Sequence, residues 1–385
     1  MTIPVERPEP WTPALVLARQ RGLEIEQLRR LPSDLVDALA ASGIFRRWIP
    51  AAHDGHQASL SEGLATIESA AYHDGSTGWC VMIALTTSLL AASLPADHAD
   101  AIYRPPGAIT GGYAAPVGRA RIEGDTLVVD GTWSWGSGSS HCTWIGGGAQ
   151  VVDAAGDPAR LDDGASRVFA FFAIDEVELL DTWRVSGMRG TASTDYVADG
   201  IVVPNGRWVP LDVGARRIDD PLYRFSSFGA LAAGVAAVCL GLGRRAVDEL
   251  ADVGATVPAG SGRPLAERAP IQATLARAEA QVRAARALLG EVVEVAWACT
   301  ITEGRVGDEN RRLLRLAACH AAIESAAAVE ACYRAAGGQA VYEDSALQRV
   351  FRDVNVATQH AMVSPRVLEP LGRIGFGLPT DNRML

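Results

Sequence analysis

The amino-acid sequence predicts an α+β fold in three parts. These are an N-terminal α-helical domain (residues 1–106), a central β-barrel or β-sandwich domain (residues 107–215) and a C-terminal four-helix bundle (residues 216–385). Apolar residues recur every three or four positions at both ends of the chain, as on one face of a helix. Between them, apolar and polar residues alternate and turn residues interrupt the pattern, which is typical of strands. A chain of 385 residues is long enough for two or three domains.

The N-terminal domain is predicted to contain at least three helices. In the first, apolar residues recur over Leu31–Leu39, Ser33 is the expected N-cap and Gly43 the expected stop. A second helix is predicted over Ser61–His73 and a third from Thr77 onward.

The central domain shows three strand signals. Arg121–Gly131 reads as a hairpin around a Gly-Asp turn, and Ser166–Ile174 reads as a buried strand. Another strand is predicted over Tyr196–Val203, where Pro204 ends it.

The C-terminal part reads as helix almost throughout, with one substantial interruption over residues 254–270. Four long helical segments indicate an antiparallel bundle. They are Phe225–Val253, Ile271–Thr302, Asp308–Ala336 and Ser345–Leu371.

Composition excludes several classes of protein. The net charge of −10 and the absence of a long basic stripe argue against nucleic acid as a partner. The apolar stretches Trp79–Leu94 and Gly229–Leu242 are rich in small residues and are predicted to be buried helices instead of membrane spans. Residues Met1–Trp11 lack the features of a signal peptide, and the six cysteines show no metal or redox spacing. We therefore expect a cytoplasmic protein with reduced thiols.

The first candidate site is a turn rich in glycine, hydroxyl and tryptophan residues. It lies within Gly131–Trp144, which reads GTWSWGSGSSHCTW. Such a turn lets backbone approach a flat ring closely while N–H and O–H groups meet the edge of the ring. Ser137 is the candidate residue within this turn, although a solvated serine in a Gly/Ser hairpin is the simpler interpretation of the residue alone.

A partner segment follows about forty residues later. It lies within Trp183–Tyr196, which reads WRVSGMRGTASTDY. Gly190 is expected to open the backbone, while Thr191 and Ser193 offer hydroxyl groups. Arg189 is expected either to hold carbonyls or anionic groups, or to form an ion pair that stabilises the turn.

The third candidate is His360. It is predicted to lie two turns from Asp353 on one face of the last helix, too far for direct contact. An imidazole exchanges a proton near neutral pH, as acid–base chemistry requires. A lone helical histidine is more often a core or interface residue, so the pattern alone leaves both interpretations open.

Weaker candidates for a substrate pocket are Trp79, His73 and His141. Trp79 ends the segment Gly75–Trp79, which reads GSTGW, and a place in the core is equally compatible with it. Neither histidine has partners at metal-binding spacing, so no metal site is predicted. No GxGxxG follows a strand, so no nicotinamide site of the Rossmann type is predicted.

These motifs resemble the acyl-CoA dehydrogenase superfamily, and within it the class D flavin-dependent monooxygenases, which take reduced flavin from a separate reductase. The resemblance covers residues 15 to 375 approximately. It is most specific at Gly131–Trp144, Trp183–Ser193 and Gly337–His360. It implies an acyl-CoA dehydrogenase-like fold in the order helices, strands, bundle.

The resemblance also implies roles for individual residues. Ser137 falls on the hydroxyl position that meets the N5 edge of the isoalloxazine ring, where we expect it to donate a hydrogen bond. His360 is the implied catalytic residue, acting on a substrate proton or on the peroxide, and Trp79, His73 and His141 are expected to line the substrate pocket. Further flavin contacts are implied for Trp135, Gly138, Arg189, Gly190, Thr191, Ser193, Arg263 and Gly338.

Two departures from the dehydrogenase pattern bear on function. Where dehydrogenases carry Tyr-Glu after the Arg-Asp pair, this chain has His360 and Ala361, so the carboxylate that removes an α-proton is missing. Around Arg263 the chain lacks the Phe-Gly of dehydrogenases that hold FAD tightly, which leaves FMN and FAD both open.

We therefore expect the oxygenase component of a two-component flavin-dependent monooxygenase. It would use reduced FMN or FAD from an NAD(P)H–flavin reductase, and O2, to hydroxylate a small aromatic substrate through a C4a-hydroperoxyflavin. A homotetramer is expected, with no nucleic-acid or membrane partner. Two alternatives are an acyl-CoA dehydrogenase-like flavin oxidoreductase with a relocated base, and a non-catalytic ligand-binding relative.

Overall fold

The computed structural model describes residues 9–214, 216–257 and 262–381. Helices occupy both ends of the described chain and a mixed sheet lies between them, which confirms the predicted fold class. The helices that precede the sheet are α1 (Thr12–Gln20), α2 (Gly22–Leu28), α3 (Ser33–Ala41), α4 (Leu60–His73), α5 (Gly75–Ser88) and α6 (Ala96–Tyr103).

Local capping interactions set the ends of these helices. Ser59 and Glu62 form a reciprocal capping box at the start of α4, and the Asp74 carboxylate accepts from the Thr77 N–H at the start of α5. Gly43 ends the α3 region with φ +79°, as predicted. Ser33 is the first helical residue of α3 instead of its cap, because Pro32 takes the cap position without a side-chain hydrogen bond.

Seven strands form one hydrogen-bonded sheet in the order β5-β6-β2-β1-β3-β4-β7. Neighbouring strands are antiparallel except β1 and β3, which run parallel. The predicted hairpin is the β1–β2 pair. The strands are β1 (Thr110–Glu123), β2 (Thr126–Gly136), β3 (Trp144–Val152), β4 (Arg167–Ala173), β5 (Glu178–Leu180), β6 (Thr194–Val203) and β7 (Trp208–Pro210).

Two buried aromatic residues stabilise the sheet at the end of β2 and the start of β6, next to the two candidate segments. Trp133 near the end of β2 stacks on Tyr196 near the start of β6, with ring centroids 5.3 Å apart. Trp133 Nε1 donates to the Gly148 carbonyl oxygen at 2.8 Å, and the Tyr196 hydroxyl donates to the Gly146 carbonyl oxygen at 2.6 Å. Both rings are therefore anchored to β3, which holds the turn after β2 beside the segment before β6.

The C-terminal part begins with the short helix α7 (Pro221–Arg224) and continues with α8 (Ser227–Val253), α9 (Ala269–Glu303), α10 (Asp308–Ala336), α11 (Ala346–Ala357) and α12 (Leu368–Gly375). The prediction of a single helix over Ser345–Leu371 is wrong. The chain leaves the helix at Thr358 and turns through His360 before Pro365 begins a short 3₁₀ segment. Proline lacks an N–H and disfavours helical backbone at the residue before it, so Pro365 opposes a helix that would continue through Ser364.

Helix α8 lies at the centre of the molecule and packs against α4 and α10. Its contact with α4 is close: a Cβ at Gly241 would lie 2.4 Å from the Glu68 carbonyl oxygen. The segments Gly75–Ser93 and Ser227–Val253 are long and apolar enough to cross a membrane, but 72% and 78% of their apolar windows are buried within the protein. All six cysteines are free, and all but Cys299 are buried.

Helix α11 docks onto the second candidate segment through a buried carboxyl group. Asp353 is 4% exposed and accepts a hydrogen bond from the Met188 N–H. Burial raises the pKa of Asp353 to about 7, and the nearby Asp74 carboxyl acts in the same direction while the Met188 N–H opposes it. The bundle and the segment before β6 are therefore joined by a group that changes charge near neutral pH.

We expect Gly241→Ala to lower the free energy of unfolding by about 1–3 kcal/mol. The new Cβ would meet backbone atoms of Glu68 and Tyr72, which cannot move aside as a side chain could. Gly290→Ala in α9 is the matched control, since a Cβ there meets nothing within 4 Å and alanine is the better helix former. Urea denaturation of both variants measures this, and equal stability of the two would contradict the close α4–α8 contact.

Asp353→Asn tests the buried carboxyl group. Between about pH 4 and pH 7 the folded protein retains a proton on Asp353 that the unfolded chain releases, so this group lowers stability as the pH rises through that window. Asparagine still accepts from the Met188 N–H but does not ionise. We expect the Tm of the variant, relative to that of the unsubstituted protein, to rise by about 2 °C from pH 5 to pH 8.

Asp34→Asn is the control for this pH effect. Asp34 is exposed and paired with Arg21, and this hydrogen bond holds the pKa of its carboxyl group below its usual range. Its relative Tm should not change between the two pH values. The same flat result for Asp353→Asn would show that Asp353 is already ionised at pH 5.

Candidate active site

The candidate site forms where the turn after β2 meets the segment before β6. Gly138 takes φ +79° and its N–H donates to the Thr191 carbonyl oxygen at 2.8 Å. The Ser139 hydroxyl donates to the Ala192 carbonyl oxygen, also at 2.8 Å. Two hydrogen bonds thus join two segments that lie more than fifty residues apart in the sequence.

Backbone strain concentrates at this junction. Trp135, Met188 and Ala192 all have positive φ, at 62°, 52° and 44°. Non-glycine residues adopt this left-handed conformation at a cost that the surrounding structure must offset, and such residues cluster at functional sites. Trp135 is in addition 59% exposed, with its ring 5.8 Å from that of Tyr113.

A chain of hydroxyl groups runs through the junction. Trp79 Nε1 donates to Ser137 Oγ at 3.0 Å, and Ser137 Oγ lies 2.7 Å from Ser193 Oγ. Ser193 Oγ lies 2.6 Å from Thr191 Oγ1, which donates to the Met188 carbonyl oxygen at 2.9 Å. The four side chains of Trp79, Ser137, Ser193 and Thr191 are all buried. The structure thus brings together four candidate residues from three separate segments of the sequence.

The direction of each hydrogen bond in this hydroxyl chain follows from its two ends. The Met188 carbonyl oxygen only accepts, so Thr191 uses its single proton there. Ser193 must then donate to Thr191, and Ser137 must donate to Ser193. In this arrangement the Ser137 proton is directed toward Ser193, and the expected hydrogen bond from Ser137 to a cofactor ring stays a prediction.

His360 lies on the other side of Trp79. The two rings meet edge to face with centroids 5.5 Å apart. His360 sits in the turn after α11, where its Nδ1 accepts from the Met362 N–H at 3.2 Å. Burial, with a smaller contribution from the Arg315 guanidinium, lowers the pKa of His360 to about 4.

These contacts define the state of the imidazole. At neutral pH His360 is uncharged and carries one ring proton. Because Nδ1 accepts from the backbone, the proton is assigned to Nε2. In this arrangement Nε2 of His360 is a hydrogen-bond donor. To act as a base through Nε2, the imidazole would have to carry its proton on Nδ1 and lose the hydrogen bond from the Met362 N–H.

His141 has two buried ring nitrogens without a hydrogen-bond partner in the described structure. Its imidazole lies against Gly138, and burial lowers its pKa to about 4. Arg189 Nε is likewise buried without a partner. Unpaired buried polar atoms are costly, so a ligand or bound water would be needed to complete the hydrogen bonding of these three atoms.

Gly190 has a packing role that the sequence did not reveal. A Cβ at this position would lie 2.2 Å from Ile25 Cγ2 of α2, and the Gly190 N–H donates to Ser76 Oγ of α5 at 3.1 Å. The glycine therefore lets the N-terminal helices approach the junction. The expectation that Gly190 opens the backbone stays a prediction.

The structure does not place the remaining candidates in the hydroxyl chain. His73 ends α4, where its Nδ1 pairs with the Ser69 carbonyl oxygen, and it borders a small crevice with Asp74 and Asp353. Arg263 is exposed in the loop before α9, and Gly338 is exposed in the 3₁₀ segment after α10.

Ser76, Met188 and Asp353 are contributors that sequence reasoning missed. Asp353 was noted as part of an Arg-Asp pair, which was the available signal, but not as a ligand of the Met188 N–H. No signal in the sequence pairs Ser76 with Gly190.

The residues at the junction fit a flavin. A flat ring with donors and acceptors along one edge would suit the buried Ser137 hydroxyl, the unpaired His141 and Arg189 nitrogens, and the exposed face of Trp135. Within residues 9–214, 216–257 and 262–381, no group of three or more His, Cys, Asp or Glu side chains is arranged to hold a metal ion.

Comparison with known proteins agrees with this geometry. A family model described as the C-terminal domain of acyl-CoA dehydrogenases matches residues 233–365. Indole-3-acetate monooxygenase of Pseudomonas putida is 30% identical over 361 residues, which cover 93% of this chain and 90% of that protein. The oxygenase subunit HsaA of a flavin-dependent monooxygenase from Rhodococcus jostii is 27% identical over 388 residues, covering 95% and 97%.

Among solved structures, XiaF from Streptomyces in complex with FADH2 superposes with a TM-score of 0.88. The match covers 96% of this chain and 95% of that one at 24% identity, which supports the fold. Full-length similarity to monooxygenases, together with the missing dehydrogenase carboxylate, decides between the two branches of the superfamily. The chain belongs to the class D flavin-dependent monooxygenases of the acyl-CoA dehydrogenase superfamily.

Proposed function

We propose that this monooxygenase is the oxygenase component of a two-component system that hydroxylates a small aromatic substrate. A separate NAD(P)H–flavin reductase would supply the reduced FMN or FAD. Support comes from relatives whose names specify an aromatic substrate, indole-3-acetate, or an oxygenase subunit. Bound reduced flavin would supply the chemistry that activates O2, as a C4a-hydroperoxyflavin.

The observation that carries this proposal is the position of Trp79 between two functional groups. Its indole N–H is bonded to Ser137 and its ring meets His360 edge to face. One aromatic side chain therefore sets the spacing between the hydroxyl that would meet the ring edge and the imidazole that would meet oxygen or substrate. Holding reacting groups at a defined separation is a large part of catalysis.

Each residue at the junction has a proposed task. Ser137 and Gly138 would hold the N5 edge of the ring, and Thr191 and Ser193 would orient Ser137. His360 would hold the terminal oxygen or a substrate hydroxyl by donating from Nε2. Since burial keeps this imidazole neutral, it would donate without bringing a full charge into the site.

The unpaired nitrogens near the junction are assigned to ligands. Arg189 Nε would bind polar atoms of the flavin, Trp135 would cover an exposed part of it, and His141 would face the substrate side. His73 is paired with the Ser69 carbonyl oxygen and is proposed to lie only at the edge of the substrate pocket. Gly190 would contribute through its backbone.

Arg263 and Gly338 are proposed to contact flavin across a subunit interface. Both are exposed on the single chain. Val341, Tyr342 and Phe376 are 62%, 65% and 86% exposed, and their burial between copies would favour assembly. We therefore propose a homotetramer, located in the cytoplasm.

The dehydrogenase alternative would need a carboxylate base near the ring. Asp74 and Asp353 are the buried carboxyl groups around α5 and α11, and each accepts a backbone N–H, from Thr77 and Met188 respectively. Both are used structurally, which argues against either of them as a relocated base.

The test of the proposal is anaerobic mixing of the protein with reduced FMN or FAD, followed by an O2 pulse in a stopped-flow spectrometer. We expect a transient absorbing species distinct from oxidised and reduced flavin, and its decay coupled to hydroxylation when an indole or phenol is present. Direct return to oxidised flavin with every aromatic compound tried would refute the proposal.

We expect His360→Ala to reduce the rate of hydroxylation by about 10²–10⁴-fold, the range for loss of a positioned proton donor. The Kd for reduced flavin should change much less, because His360 is assigned to the oxygen or the substrate. His98→Gln on α6 is the matched histidine control and should retain full activity. A variant as active as the control would remove His360 from the reaction.

A further inference from the structure

Arg315 is a buried cation of α10 that lies against the turn containing His360. Arg315 is 2% exposed, and its Nη1 donates to the Met362 carbonyl oxygen at 3.2 Å. Burial lowers the pKa of Arg315 to about 10, so the guanidinium remains charged at neutral pH. Placing a charge in the interior is costly and requires hydrogen bonds that compensate for the lost water. The backbone of the turn supplies one of them.

Met362 connects Arg315 to the imidazole. Its carbonyl oxygen accepts from Arg315, and its N–H donates to His360 Nδ1 at 3.2 Å. The turn is closed by the His360 carbonyl oxygen, which accepts from the Val363 and Ser364 N–H groups at 3.0 Å. Because both polar groups of Met362 belong to one buried residue in a closed turn, anchoring its carbonyl group also restricts the direction of its N–H.

We infer that Arg315 is a positioning residue for His360, which it holds through the Met362 backbone with the ring proton on Nε2. This inference rests on the proposed function, in which His360 donates from Nε2 to oxygen or substrate. If the Met362 N–H turned away, Nδ1 would be free to carry the proton. Nε2 would then be an acceptor and could not make the proposed hydrogen bond.

The charge of Arg315 supports the same state of the imidazole. Burial is the main cause of the low pKa of His360, and the Arg315 guanidinium adds to it because a cation opposes protonation of a neighbouring imidazole. The elements around the turn also carry Trp79 on α5, Asp353 on α11 and the Cys319 thiol on α10, whose pKa burial raises to about 11. Arg315 therefore favours a neutral ring, which has one proton to place.

Magic-angle-spinning NMR of the full-length protein, labelled with ¹³C and ¹⁵N in histidine, tests this inference without any turnover. Protonated and unprotonated ring nitrogens differ widely in chemical shift, and the spectrum of His360→Gln identifies the His360 signals among the seven histidines. We expect the Nε2–H form in the unsubstituted protein at neutral pH. Arg315→Met should raise the ratio of the Nδ1–H to the Nε2–H form by about fivefold, the equivalent of one hydrogen bond.

The same variant gives two further readouts. In Arg315→Met the pKa of His360 should rise, because a neighbouring cation is removed. The hydroxylation rate should fall by about 10–100-fold, since the imidazole no longer presents its donor at a defined position. The Kd for reduced flavin should not change, because Arg315 acts on His360.

Three other variants make the result specific. Arg315→Lys keeps a cation that donates hydrogen bonds, and it should retain the Nε2–H form and the low pKa of His360. Arg315→Gln is the second uncharged variant if Arg315→Met does not fold, and the same shift is expected because its side chain is too short to reach the Met362 carbonyl oxygen. Arg312→Met removes an arginine of the same helix that pairs with Glu309, and it should change neither the tautomer nor the rate.

The outcomes separate this inference from the proposed function. If folded Arg315→Met and Arg315→Gln retain the Nε2–H form, or if Arg315→Lys shifts the tautomer as far as they do, the inference is wrong and the proposed role of His360 stands. A loss of rate without a change in tautomer would likewise overturn it. If the tautomer shifts as expected but the unsubstituted protein hydroxylates no aromatic compound with reduced flavin and O2, the proposed function is wrong and the hold of Arg315 on His360 stands.

Discussion

The hydrogen bond from the Gly138 N–H to the Thr191 carbonyl oxygen joins the turn after β2 to the segment before β6, and the site is built around that contact. Only when these segments are adjacent do the hydroxyls of Ser137, Ser193 and Thr191 reach one another. Stacking of Trp133 on Tyr196 holds the two strands that support the junction. The sheet therefore holds the site residues at more precisely defined positions than a pair of isolated turns could.

All three parts of the molecule converge on this junction. The N-terminal helices contribute Trp79 and Ser76, each of which bonds to it directly. The bundle contributes Asp353, bonded to the Met188 N–H, and His360, packed on Trp79. The segment before β6 thus lies between the helices of the two ends, and its strained backbone at Met188 and Ala192 is held from several sides.

Burial sets the electrostatic character of the site. It lowers the pKa values of His360 and His141, so both imidazoles are neutral at pH 7, and it raises the pKa of Asp353 toward neutrality. Both imidazoles therefore act as oriented neutral groups beside the hydroxyl groups of the junction. In a region of low dielectric such dipoles act strongly, and they require no reorganisation when a ligand binds.

Hydrophobic periodicity by itself determined much of the fold, because it depends only on residues close in sequence. The helix Asp308–Ala336 and the β1–β2 hairpin agree with prediction, and the three-part order of helices, sheet and helices is confirmed. Periodicity failed at Ser345–Leu371, where apolar residues continue but Pro365 and the turn at His360 interrupt the helix. The motifs likewise indicated the right family, since residue types at fixed spacing carry that information.

Tertiary structure alone decided how these residues act together. The direction of the Ser137 proton depends on a carbonyl group at Met188, and the donor role of His360 depends on the Met362 N–H. Gly190 is required by Ile25 of α2, more than 160 residues earlier. Such roles arise from contacts between segments that are distant in the sequence. These contacts decide which lone pair or ring nitrogen is already occupied, and no local pattern in the sequence contains that information.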